Sequence, residues 1–169
     1  SPPEKDVQWS EQGMIASYKF LQKFWTLHQN IKNISTKNNE NVVFSNKEIN
    51  HFTNEVIHKI TENLEKFHYN VIIANLYETY NFLVKFIKKS PDKKTLLKNY
   101  IEILKIMSPV VPHFASECLE DLGEKANKSW PKVNAKYLVK ESQVDWSRFR
   151  QLAVEEPRQW RCRCFRPWE

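Results

Sequence analysis

Gly13 and Gly123 are the only glycines in 169 residues, and that scarcity limits the fold more than any other feature. A sandwich or barrel of many short strands needs left-handed residues at its turns, a place glycine fills without a Cβ penalty. A glycine-rich phosphate loop needs glycines for close backbone approach. Neither fits this chain. The remaining solution is a fold of long segments joined by few connections.

Apolar spacing supplies those segments, and five helices are expected. The first follows Ser10 and carries Met14, Tyr18, Leu21, Trp25 and His28 at steps of three and four. Phe20, Phe24, Leu27 and Ile31 widen that stripe, which predicts that most of the helix is buried. After a polar loop, "SNKE" at Ser45 reads as a capping box opening the second helix, whose buried face is Ile49, Phe52, Val56, Ile60, Leu64 and Phe67. The third runs from about 71 to 88, with Ile72, Leu76, Tyr80, Leu83 and Ile87 inward. "SPDK" caps the fourth at Ser90, with Pro91 at its first position and Leu97, Ile101 and Leu104 on the core side.

The fifth helix starts at a sharp corner, "SPVVPHFASECLEDLG". Pro109 ends the preceding helix because proline lacks the N–H and clashes with the turn before it. Pro112 suits the first turn of the next, and Gly123 the left-handed position that closes it. The expected fold class is therefore all-α: an antiparallel bundle of about five helices, the fifth packed across one end.

At 41% hydrophobic and 13% aromatic the chain can bury a core. No apolar run approaches a membrane span, and no signal peptide opens the sequence. Three cysteines make no disulfide framework, so a cytoplasmic setting is expected. Walker, GxGxxG, HExxH and GxSxG motifs are absent, and the first residue is Ser rather than Met. Both points predict a piece of a larger protein. The formal charge of +6 suits a polyanionic partner.

Composition then breaks. Residues 1–140 hold 20 Lys, 15 Asn and 12 Ile and no Arg, whereas 141–169 hold six Arg and none of the other three. The expected division is a bundle over 1–142 and an irregular Arg/Trp-rich tail over 143–169, read as a foreign, frameshifted or damaged end. A genuine basic extension is the other reading.

Three segments carry a resemblance. "MSPVVPHFASECLEDLG" followed by "SWP" resembles the stretch in class I aminoacyl-tRNA synthetases of the leucine, isoleucine, valine and methionine group where a Pro-x-x-Pro-His corner precedes an acidic-apolar pair and a Trp-Pro. Those positions are Pro109, Pro112, His113, Glu117, Leu119, Trp130 and Pro131. "SPPEKDVQWSEQGMIASYKFLQKFW" looks like the junction in the leucyl members, and "FHYNVIIANLYETYNFL" resembles the Phe-Asn-x-Ala-Ile helix. All three occur in order across about 1–138.

The resemblance to leucyl-tRNA synthetases implies an anticodon-binding-type helical domain that positions tRNA(Leu). Leucylation with ATP and magnesium would then belong to a catalytic domain in the parent chain, which also carries an editing domain. The fragment itself is expected to hold no catalytic residue, metal or cofactor, and to be a monomer with no membrane association. The corresponding domain of a valyl or isoleucyl enzyme is the nearest alternative. A non-enzymatic helical interaction module is the alternative from another class. Gln143 to Asp145 echo the start of the family's next element, and the following Gly-Lys is missing.

Candidate tRNA contacts are Lys19 and Lys23, which match the basic helix positions of the family, and Lys85, Lys88 and Lys89 at the turn between helices three and four. Lys93, Lys94 and Lys98 extend that turn, with Asp92 the only opposing charge nearby in sequence. Such a cluster neutralises phosphates or merely solvates a turn. Pro109, Pro112, His113, Trp130 and Pro131 read as a structural corner, with His113 capped and packed there and no nucleophile spaced to it. Trp25 reads as core and Trp9 as a staple on the first helix. Cys162 and Cys164 lack the usual zinc spacing.

Overall fold

The structure, a computed structural model, describes residues 10–34, 42–89, 91–124 and 129–138. Readings that fall on Pro2 to Trp9, on Ser90 and on 143–169 lie outside the described residues. Five helices follow one another: α1 (Glu11–Lys32), α2 (Val42–Glu65), α3 (Tyr69–Ile87), α4 (Lys93–Met107) and α5 (Pro112–Asp121). A short 3₁₀ turn, Ala135–Tyr137, comes after them. No strand occurs among the described residues. The all-α expectation holds.

Contact registers set the directions. Phe20 meets Tyr77 at 4.1 Å between ring centroids and Phe24 meets Tyr80 at 5.8 Å, so α1 and α3 run parallel. Phe52 stacks on Phe82 at 3.7 Å, and Glu48 at one end of α2 pairs with Lys89 just past the far end of α3. Those two helices are antiparallel. His28 reaches Tyr100, and Lys93 Nζ donates to the Lys32 carbonyl, so α4 runs back along α1. Consecutive helices thus alternate in direction, while α3 and α4 both lie between α1 and α2. α5 packs on α4. The core is Phe24, Ile49, Ile60, Leu76, Leu83, Phe86, Tyr100, Ile103 and their neighbours, most of them fully buried.

Four local expectations need correction. In α1 only Phe24, Leu27, His28 and Ile31 are buried; Met14, Ile15 and Tyr18 stay 52–63% exposed because α1 meets its neighbours from Phe20 onward. Trp25 is 37% exposed, lying over His28 and the edge of Phe114 rather than inside the core. α2 begins at Val42, which puts Ser45 inside the helix, and the Glu48 carboxylate that the box required is drawn across to Lys89. α4 is capped by Asp92, whose carboxylate accepts from Thr95 N at 2.9 Å and Thr95 Oγ1 at 2.7 Å. Pro91 therefore precedes the cap and is buried there. These two bonds hold the Asp92 carboxyl below its ordinary pKa.

Phe67 is a further correction. It is 60% exposed and lies past the end of α2 at φ 55°. His68 N donates to Asn63 O and Phe67 N to Leu64 O, the Schellman pattern with Phe67 in the left-handed position. The same pattern closes α5, where Glu124 N meets Leu119 O and Gly123 N meets Glu120 O, with Gly123 at φ 76°. The expected role of Gly123 is borne out. One cap uses glycine and the other a phenylalanine.

Residues 129–138 lie along α2. The Trp130 indole donates to Thr61 Oγ1 at 3.0 Å, Asn134 N donates to Asn54 Oδ1 at 2.7 Å, and Pro131 is buried. Two side chains of α2 thus tie down the segment that follows α5.

Candidate nucleic-acid interface

Lys19 and Lys23 are one helical turn apart on α1, and both are exposed. Lys85 stands in the last turn of α3 and Lys88 is its C-cap, both exposed. Because α1 and α3 run parallel, residues near the C-terminal end of one face those near the end of the other. Lys23, Thr26, Leu27 and Asn30 thereby form one wall of a groove of about 300 Å3, and Tyr80, Val84, Ile87 and Lys88 the other. Leu27, Val84 and Ile87 make its floor apolar, with a lysine on each rim. A compact ammonium on a flexible stem suits a phosphate oxygen, which is a sequence-independent contact.

The remaining lysines divide by geometry. Lys89 Nζ sits 2.8 and 2.9 Å from the two Glu48 carboxylate oxygens, so a charge from α2 opposes this cluster as well as Asp92. Lys93 donates to the Lys32 carbonyl at 3.1 Å. Lys94 and Lys98 are exposed on α4. Lys85, Lys88, Lys94 and Lys98 therefore leave one end of the bundle basic, around the turn between α3 and α4.

His113 stands on the first turn of α5, exposed, and the residue in the N-cap place is Val111, which makes no side-chain cap. The expectation of a capped and packed histidine is corrected. Pro109 and Pro112 are exposed too, and it is Val110 and Val111 between them that pack on the core. The proline spacing turns the chain so that this valine pair faces inward.

The histidine that is built into the fold is His28. It is fully buried; Nδ1 lies 3.2 Å from the Tyr100 hydroxyl and Nε2 3.0 Å from Asp121 Oδ2. Lys32 Nζ reaches the other Asp121 oxygen at 2.5 Å. This network joins α1, α4 and α5. The Lys32 and His28 hydrogen bonds hold the Asp121 carboxyl at about 2. Burial pushes the Tyr100 phenol above its ordinary range, and pushes the Cys118 thiol up to about 12, so neither ionises near neutrality. The network is a clasp, with no activated nucleophile in it.

A second recess lies between α2 and α4, lined by Asn50, Thr53, Asn54 and Asn99 among others. Sequence reading passed over it. The available signal was the polar residues Asn50, Thr53 and Asn54 at steps of three and four along α2.

The family described as "Anticodon-binding domain of tRNA ligase" matches residues 46–160, which runs past the composition change at 141. The leucine–tRNA ligase of Thermotoga maritima is 33% identical over 150 residues, 82% of this chain and 18% of that protein. That of Clostridium kluyveri is 36% identical over 140 residues, 79% of this chain and 17% of that one. The chain thus spans about a fifth of the length of these relatives. Among solved structures, the LeuRS of Agrobacterium radiobacter K84 (agnB2), in a ternary complex with tRNA and LeuAMS, superposes with a TM-score of 0.65 at 21% identity. The superposition covers 80% of this chain and 18% of that one, and it supports the same helical fold. From its matched residues and its five-helix architecture, this chain belongs to the anticodon-binding domain family of tRNA ligases.

Proposed function

We propose that this domain binds the body of tRNA(Leu) and positions it for ATP-dependent leucylation by the catalytic domain of a leucine–tRNA ligase. One observation carries the reading: Lys23 and Lys88, from different helices, rim one groove, with Lys19 and Lys85 each a turn away. Similarity to leucine–tRNA ligases over four fifths of the chain supports the choice of tRNA and amino acid. ATP, magnesium and the editing reaction belong to the parent's other domains, which are the partners within one cytoplasmic, monomeric polypeptide. The exposed Met14, Ile15 and Tyr18 suit packing against those domains. The tRNA-binding unit is the bundle over 1–142, and residues 143–169 add little to it.

The test is a salt titration of tRNA(Leu) binding. Affinity is expected to fall steeply with salt, as released counterions lose their entropic advantage. The isolated domain is expected to show no leucine-dependent pyrophosphate exchange. Salt-insensitive binding, or tRNA affinity no greater than that for an uncharged polymer, would remove the reading.

A further inference from the structure

The seam between α1 and α3 is closed along one half and open along the other. From Phe20 onward it is filled: Phe20 meets Tyr77 and Tyr80, Phe24 meets Tyr80, and Leu27 lies with Val84 and Ile87 in the floor of the lysine groove. Toward the helix starts the same two faces continue without meeting. On α3 the residues one and two turns before Tyr77 are Ile73 and Tyr69, and all three are 39–41% exposed. On α1 the residues one and two turns before Phe20 are Ala16, Ser17 and Gly13, all small and all exposed. Among the described residues, a Cβ added at Gly13 would meet only Ser10 within 4 Å, so α3 does not cover it. The two helices thus leave a trough with an apolar wall on α3 and a low wall of small residues on α1.

We propose that residues 1–9 of this same chain lie in that trough. The place where the segment joins selects it. Ser10 is the N-cap of α1, extended at φ −137° and ψ 117°. With the helices parallel and Phe20 against Tyr77, Ser10 stands level with the start of α3, at the open end of the trough. Length agrees. The ten residues from Ser10 to Phe20 rise about 15 Å, whereas nine extended residues span about 30 Å. A segment that turns back at the cap therefore covers the whole opening. Composition agrees as well. "SPPEKDVQW" carries Pro2, Pro3, Val7 and Trp9; consecutive prolines favour an extended left-handed helix without internal hydrogen bonds, and grooves lined by aromatic rings hold such segments. The trough lies at the other end of α1 and α3 from Lys23 and Lys88, so the inference stands apart from the RNA reading.

NMR and melting curves on the full 169-residue chain test it. Nuclear Overhauser cross-peaks are expected between the Ile73 methyl groups and the side chains of Pro2, Pro3, Val7 or Trp9. Deleting residues 1–9, with Ser10 kept as the cap, should lower the melting temperature by about 2–4 °C. Ile73→Ala supplies the coupling. An isoleucine left in water loses little on truncation, so the substitution should lower the melting temperature clearly in the full chain and much less in the shortened one. Absence of those cross-peaks in the wild type overturns the inference, and so does full additivity of the two changes. Cross-peaks from Ile73 to residues 139–169 would give the trough to the other end of the chain. A melting temperature that rises with protein concentration and is indifferent to the deletion would give it to a second copy. Either result also overturns the inference.

Discussion

Asp121 Oδ2 accepts a hydrogen bond from His28 Nε2 at 3.0 Å across 93 residues of chain, while Lys32 takes the other carboxylate oxygen. The carboxyl is held at about 2 against an ordinary 3.8. A carboxylate whose folded pKa is depressed stabilises the fold above its ordinary pKa and loses that contribution as pH falls through the folded value. Thermal stability is therefore expected to drop between about pH 4 and pH 2 from this group. Asp121→Asn should lower the melting temperature at pH 7 and flatten that acid-side slope. An unchanged slope in the variant would mean that the carboxylate is not a stabilising acceptor.

The two Schellman caps predict opposite responses to glycine chemistry. Phe67 sits at φ 55° with its ring 60% exposed, so Phe67→Gly should relieve left-handed strain and stabilise by about 0.5–1 kcal/mol. Gly123 meets open space but has φ 76°, so Gly123→Ala should destabilise by about 1 kcal/mol through the backbone alone. Urea midpoints measure both. Equal shifts in the same direction would contradict the cap geometry.

Removing His28 should be costly. It is fully buried with both ring nitrogens engaged, so His28→Ala leaves a cavity and two deprived partners. A loss of about 2–4 kcal/mol is expected in denaturant unfolding. A loss below 1 kcal/mol would show that the clasp is dispensable.

The groove lysines should separate from Lys89. Lys23→Ala with Lys88→Ala is expected to weaken tRNA binding and reduce the slope of log affinity against log salt by about two. Lys89→Ala removes an exposed pair with Glu48, worth about 0–1 kcal/mol of stability, and should change the slope less. If Lys89 proves the stronger contributor, the interface lies toward α2 instead.

Deleting residues 143–169 should shift the melting temperature by only a few degrees, the scale of about 1 kcal/mol in a domain of this size. Loss of cooperative unfolding on that truncation would make the tail an integral part of the domain. The family match as far as residue 160 gives this measurement its weight.

Helix existence and order were legible because apolar residues recur at three and four and because proline and glycine punctuate locally. The corner at Pro109 and Pro112 and the close at Gly123 rest on steric rules within a few residues, and both stand. Burial along α1 did not follow from its stripe. Met14 and Tyr18 lie on the same stripe as Leu27, yet only the second half of the helix has α3 and α4 against it. The Ser45 box failed for a related reason, since a lysine 41 residues away competes for Glu48. His28 looked like one more member of an apolar face until α4 and α5 brought Tyr100 and Asp121 to its two nitrogens. Likewise, Lys23 and Lys88 became one groove only through the parallel packing of α1 and α3. Local sterics and periodicity decide where helices start and stop; which faces are covered, and which charges meet, depends on partners distant in the chain.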